Sequence, residues 1–141
     1  MAVGGSFHDR VSDLTRPVLA GVTVNPCTPV SIDSNGYFYL EACATGSDIQ
    51  PVMGFPETSG AGTKVEGTGI FTHVLANSQG KRYDSAWSWN IGQPIYLDRL
   101  IAGGLTQAAP NILGDMLQQV GIASAENELV IQIGQAHWVG S

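Results

Sequence analysis

A chain of 141 residues has the usual size of one domain and is long enough to bury a core without disulfides or metals. Six basic against twelve acidic side chains leave a net charge of −6, which provides no positive field for phosphate backbones, so nucleic acid is not an expected partner. Eighteen glycines and seven prolines, with 43% apolar but only 13% charged residues, fit short strands and many turns, so the expected fold is all-β, a small β-barrel or β-sandwich.

Residues 1–17, MAVGGSFHDRVSDLTRP, carry a Gly-Gly pair, mixed charges and a closing proline, and read as an extended N-terminal arm. Within it Val3, Phe7, Val11 and Leu14 recur at spacings of four, four and three, the pattern of a short amphipathic helix formed against a partner. No charged n-region followed by an apolar h-region opens the chain, and no apolar run approaches the roughly 18 to 20 residues that cross a bilayer. A membrane partner is therefore not expected, and the protein is expected in the cytosol or assembled there into something larger.

Residues 18–141 read as one β domain. In VLAGVTVNPCTPVSID, short β-branched runs are cut by Asn-Pro and Thr-Pro, as strands with edge or bend positions are. Asn35-Gly36 between alternating flanks predicts a hairpin, because both residues accept the positive φ of a type I′ turn. KVEGTGIFTHVLA predicts a strand pair or a long bent strand after a Gly-Ser-Thr-rich loop, and SQGKR a turn. YDSAWSWNI alternates, which predicts a strand with Tyr83, Ser85, Trp87 and Trp89 on one face. Further strands are predicted at PIYLD, GLTQ, LQQVGIA and ELVIQIG, with a helical turn at NILGDML. In ELVIQIG, Leu129, Ile131 and Ile133 alternate with Val130, Gln132 and Gly134.

Two stretches follow the same order of features. Pro29-Val30-Ser31-Ile32-Asp33 stands 65 residues before Pro94-Ile95-Tyr96-Leu97-Asp98, and Ser47 to Gly54 answers Gly114 to Gly121, with Asp and Gly six apart in both. The halves span about 25–56 and 92–134. Chance reuse of strands and turns is one account of the match. The physical alternative is that one such unit leaves its edges open, whereas two facing units bury both inner faces.

Candidate chemistry is thin. His8, His73 and His137 lie in an arm, a β stretch and the tail, and no GxSxG elbow accompanies them. SGAGTKVEG does not fit GxxxxGK[ST], and DSNG lacks the later acidic ligands and closing Glu of a calcium loop. No catalytic residue, metal or cofactor is expected. Cys27 and Cys43 fall in or beside consecutive strands and read as two reduced thiols. Trp87, Trp89 and Trp138 are candidates for core or for an interface, and Trp87 and Trp89 also for a platform on which sugar rings stack.

The segment GQPIYLDRLIAGGLTQAAPNILGDMLQQVGIASAENELVIQIG is similar to the C-terminal part of tailed-bacteriophage capsid decoration (cement) proteins and related head-fibre proteins. Gly92, Pro94, Tyr96, Asp98, Gly104, Leu105, Thr106, Pro110, Gly114, Asp115, Val120, Gly121 and Ala123 carry the likeness. NPCTPVSIDSNGYFYLEACATGSDIQPVMGFP resembles the earlier half of the same pattern. The resemblance implies a barrel-like structural protein, not an enzyme, on the outer capsid surface of a virion assembled in the host cytoplasm. Its expected partners are the major capsid protein, whose neighbouring subunits it would bridge and stabilise, and its own copies in a homotrimer. The candidate interface is Val3, Phe7, Val11, Leu14, Trp87, Trp89 and Trp138. The alternative is a receptor- or carbohydrate-binding tip of a virion fibre, using Trp87, Trp89 and the loop at 57–69.

Overall fold

The computed structural model describes residues 14–18, 22–32, 39–41, 43–45, 49–61 and 73–140. They form fourteen short strands and, among the described residues, no helix. In chain order the strands are β1 (Leu14–Pro17), β2 (Thr23–Val24), β3 (Val30–Ile32), β4 (Tyr39–Glu41), β5 (Phe55–Pro56), β6 (Gly60–Ala61) and β7 (His73–Asn77). There follow β8 (Lys81–Tyr83), β9 (Pro94–Leu97), β10 (Leu105–Thr106), β11 (Met116–Leu117), β12 (Gln119–Ala125), β13 (Glu128–Ile131) and β14 (His137–Trp138). Every pairing is antiparallel, so the all-β expectation holds.

The largest sheet has the order β10-β9-β12-β13-β8. Its end strands β10 and β8 do not pair with each other, so among the described residues it is an open sheet and not a closed barrel. Ile95 stands opposite Gly121, and Gly121 opposite Ile131. The register of β12 shifts twice, between Gln119 and Gly121 and between Ala123 and Ala125, which bends this seven-residue strand.

The first half repeats the plan. β3 pairs with β4, Val30 bridges Gly54, β5 then pairs with β7, and β7 carries β1 on its other edge. Val30 thus meets Gly54 as Ile95 meets Gly121, at the positions the sequence comparison aligns. The fifth strand of each unit, β1 or β8, precedes its hairpin in the chain. Leu14–Pro17, counted in the arm by composition, are therefore a sheet strand. The Asn35-Gly36 turn lies outside the described residues, as do Val3, Phe7 and Val11; the strands flanking that turn pair with Ile32 opposite Tyr39.

Two apolar clusters underlie the units. The smaller gathers Val18, Val24, Val30, Val74 and Ala76. The larger contains Ile95, Leu97, Met116, Val120 and Leu129 from the second half together with Ala44, Val52 and Phe55 from the first. Fully buried Phe55 contributes on the order of 2–3 kcal/mol to this shared core, so the halves do not fold as separate bodies. Buried Gln118 adds a polar tie: its Oε1 accepts from Val52 N at 2.7 Å and its Nε2 donates to Gly134 O at 3.0 Å.

Arg82 on β8 forms the second tie. Its Nε donates to Pro26 O at 2.8 Å, and its Nη2 reaches Asn77 Oδ1 at 2.8 Å, Pro56 O at 3.2 Å and Phe55 O at 3.3 Å. The SQGKR turn explains this placement. It carries the chain out of one sheet into the other, so β7 and β8 are consecutive yet unpaired.

Two local expectations are corrected. The alternating YDSAWSWNI is strand only through Tyr83, because Asp84 starts a turn: its Oδ1 accepts from Ala86 N at 2.9 Å and its carbonyl from Trp87 N at 3.0 Å. NILGDML makes no helical turn. Asp115 N closes a tight turn onto Ile112 O at 2.9 Å with Gly114 at φ 93°, and the chain then enters β11.

Candidate interaction surface

The second unit ends in two loops that hold apolar side chains outward. After β9, Asp98 Oδ1 accepts from Leu100 N at 2.7 Å and Ile101 N at 3.2 Å, while Asp98 N donates to Gly104 O at 3.0 Å. The carboxylate occupies the inside of the loop, so Leu100 and Ile101 project outward and remain 75% and 62% exposed. In the next loop Pro110 is buried, and Ile112 and Leu113 at the tip are 50% and 78% exposed.

An ion pair between half-buried Arg99 and buried Asp115 joins the loops. The Asp115 side chain is 2% exposed and accepts from Arg99 Nε, with Arg99 Nη2 at 3.5 Å from its other oxygen. The Arg99 hydrogen bond holds the Asp115 carboxyl below its ordinary value despite burial, and raises the guanidinium's own. The C-terminal strand is attached by Gly114 N to Val139 O at 3.1 Å and Val139 N to Asp115 O at 2.9 Å, which brings Leu113 against Gly140 and Trp138, 44% exposed, to the same end of the molecule. A cleft of about 310 Å³ lies between the loops, lined by Asp98, Arg99, Leu100, Thr106, Pro110 and Asn111. The first half props this end from behind: Ala44 N donates to Asp98 O at 3.0 Å, and Met116 N to Ala44 O at 2.8 Å.

Among the sequence-derived interface candidates, Trp138 lies at this surface and Leu14 opens β1. Trp87 and Trp89 pack against the main core, ring centroids 5.3 Å apart, and Trp89 N is fastened to Glu126 O at 2.7 Å. The two thiols are free and separately placed, Cys27 Sγ 3.3 Å from Tyr83 O and Cys43 Sγ 3.7 Å from Asp98 O. No group of three metal-ligating side chains exists among the described residues. Sequence reasoning missed Leu100, Ile101, Ile112 and Leu113. The signal was there, since apolar pairs inside turn-rich DRLIAGG and NILGD have no structural need to be apolar.

The chain matches no family model, no curated protein and no solved structure. Fold and surface together define an all-β protein of two like antiparallel units sharing a core, with an apolar face of loops at one end of the second unit.

Proposed function

We propose that this chain is a structural virion protein that decorates and stabilises a bacteriophage capsid by bridging neighbouring major capsid subunits. One observation carries the reading. The residues through which the sequence resembles capsid decoration proteins are those that build the second unit: Asp98 closes its loop, Asp115 holds Arg99, and Gly121 lets β12 lie against Leu129. These positions therefore have structural roles in this chain, which supports the reading.

Bridging is a mechanical task, and an open sheet suits it. The outer edge of β10 takes no strand among the described residues, and an extended segment from a shell subunit can add there through main-chain hydrogen bonds. Several weak attachments on one rigid body raise the effective concentration of each, so many copies on a shell resist its expansion together. The acidic charge of −6 keeps the unbound protein soluble.

The test is addition of purified protein to shells that lack it. Binding in a fixed ratio to the major capsid protein, with a higher temperature of shell disruption, is the expected result. Failure to bind, or binding with no gain in heat resistance, refutes the proposal. Glycan binding on an array that is lost when Trp87 and Trp89 are replaced would instead favour a fibre tip, although this platform packs against the core.

A further inference from the structure

The structure assigns a second cleft, on the outer face of the five-stranded sheet, as a binding site for one ring of a neutral saccharide. Along β9 the side chains of Ile95 and Leu97 are buried in the core, so Tyr96 between them faces the other way. The cleft beside it has a volume of about 280 Å³ and is lined by Tyr96, Leu117, Gln119, Gly134, Gln135 and His137. Register sets its walls, with Gln119 opposite Tyr96 and Leu117 opposite His137. Gln119 Nε2 donates to Gln132 Oε1 at 3.2 Å. Gly134 is fastened on both sides, its N donating to Gln119 O at 2.9 Å and its O accepting from Gln118 Nε2 at 3.0 Å. The cleft is thus formed before any ligand arrives, which lowers the ordering cost of binding.

The lining selects the class of ligand. It carries no Asp, Glu, Lys or Arg, so an ion entering it would lose water and gain no opposite charge. A wholly apolar ligand would cover two amides and an imidazole without bonding to them. A pyranose ring answers both halves of the lining. Its C–H face packs on the Tyr96 ring and Leu117, and its hydroxyls both donate and accept, as the side chains of Gln119, Gln135 and His137 do. Among the described residues no hydrogen bond occupies the side chains of Tyr96, Gln135 or His137, so they are open to a ligand. The volume lies at the low end for ligand pockets, which suits one ring better than a longer chain. Gly134 is an independent observation. Its φ is not positive, and a Cβ there would rest 3.6 Å from Gln119 O and 3.8 Å from Gln119 Cβ, both ordinary contacts. Neither conformation nor packing within the chain requires a glycine, and its effect is to leave the cleft open.

This inference does not depend on capsid binding, because it is read on the isolated full chain with no shell present. Glucose, galactose, mannose and N-acetylglucosamine are titrated one at a time into isotope-labelled protein and followed by NMR. At least one is expected to give saturable shifts confined to the lining residues, the side-chain amides of Gln119 and Gln135 among them. Tyr96→Ala removes the stacking surface, and Gly134→Leu fills the cleft from an exposed position. Each is expected to weaken binding about tenfold or more, with the circular dichroism spectrum and the shell binding of wild type unchanged. No saturable shift with any of the four sugars overturns the inference, as do shifts centred on other residues or affinity that survives Gly134→Leu. A folded Gly134→Leu variant that loses shell binding overturns it too and assigns the cleft to the major capsid protein.

Discussion

The carbonyl oxygen of Asn77 lies 2.7 Å from the point a Cβ on Gly54 would occupy, and Gly121 is confined in the same way, 2.7 Å from Leu129 Cγ and 2.8 Å from Val130 O. Neither glycine has a positive φ among the described backbone, so close approach and not conformation excludes a side chain at both. Each sits where the third strand of its unit crosses the hairpin, so Gly54→Ala and Gly121→Ala test the duplication as a pair. Each should cost about 2 kcal/mol or more in denaturant unfolding. Gly134→Ala, whose Cβ would rest at an ordinary 3.6 Å from Gln119 O, should be nearly neutral. A tolerated alanine at 54 or 121 would remove the close-packing argument for that unit.

Arg82 makes the widest set of hydrogen bonds between the units, to Pro26, Phe55, Pro56 and Asn77. Its planar fork serves acceptors in several directions, which an ammonium cannot. Arg82→Lys should therefore destabilise almost as much as Arg82→Ala, by about 2–3 kcal/mol, since each abandoned part-buried carbonyl costs on the order of 1 kcal/mol. Urea unfolding followed by tryptophan fluorescence checks this. A lysine variant as stable as wild type would mean that charge alone matters at this position.

How much of this was legible in the sequence depended on distance along the chain. β13 was readable from alternation, because Leu129 and Ile131 point to the core and Val130 away from it, a short-range pattern of period two. The recurrence of Pro, Asp and Gly was readable too, and the register of Val30 with Gly54 and of Ile95 with Gly121 gives it a physical meaning. YDSAWSWN alternated equally well but leaves the strand after Tyr83, because the Asp84 side chain bonds its own backbone and outcompetes sheet pairing locally. Arg82 and the Arg99–Asp115 pair were illegible for a different reason. Nothing local marks an arginine whose acceptors come from another sheet, and the carboxylate is buried only because a hairpin and a later turn meet in space. The apolar loops were illegible because Asp98 and Gly104 mark a turn, and a turn imposes no local pattern that tells an outward Leu or Ile from a buried one.

Acid should loosen the loop face first. The folded Asp115 carboxyl lies below its ordinary value, chiefly through its hydrogen bond to Arg99, so the unfolded chain binds a proton more readily than the folded one. The stability that follows is fully present above the unfolded value, about pH 4, and is lost as pH falls through the lower folded value. Asp115→Asn removes this contribution at all pH. The melting temperature of the variant should lie below that of wild type at neutral pH, and the gap should narrow as pH drops below about 4. A gap that stays constant into acid would show that the pair's charge contributes nothing.

Cys27 gives a chemical probe of the junction between the units. Burial, and then the Asp84 carboxylate, push its thiol above the ordinary value, partly offset by Arg82, and its Sγ contacts Tyr83 O. Since only the thiolate attacks an alkylating agent, Cys27 in the folded protein should react with iodoacetamide several-fold more slowly than in urea at the same pH. Asp84→Asn keeps an oxygen for the turn bond to Ala86 N while removing the charge, so it should speed Cys27 alkylation and leave the melting temperature nearly unchanged. Peptide mapping with mass spectrometry separates Cys27 from Cys43. Equal rates in the variant and wild type would exclude the Asp84 charge as a cause and leave burial alone.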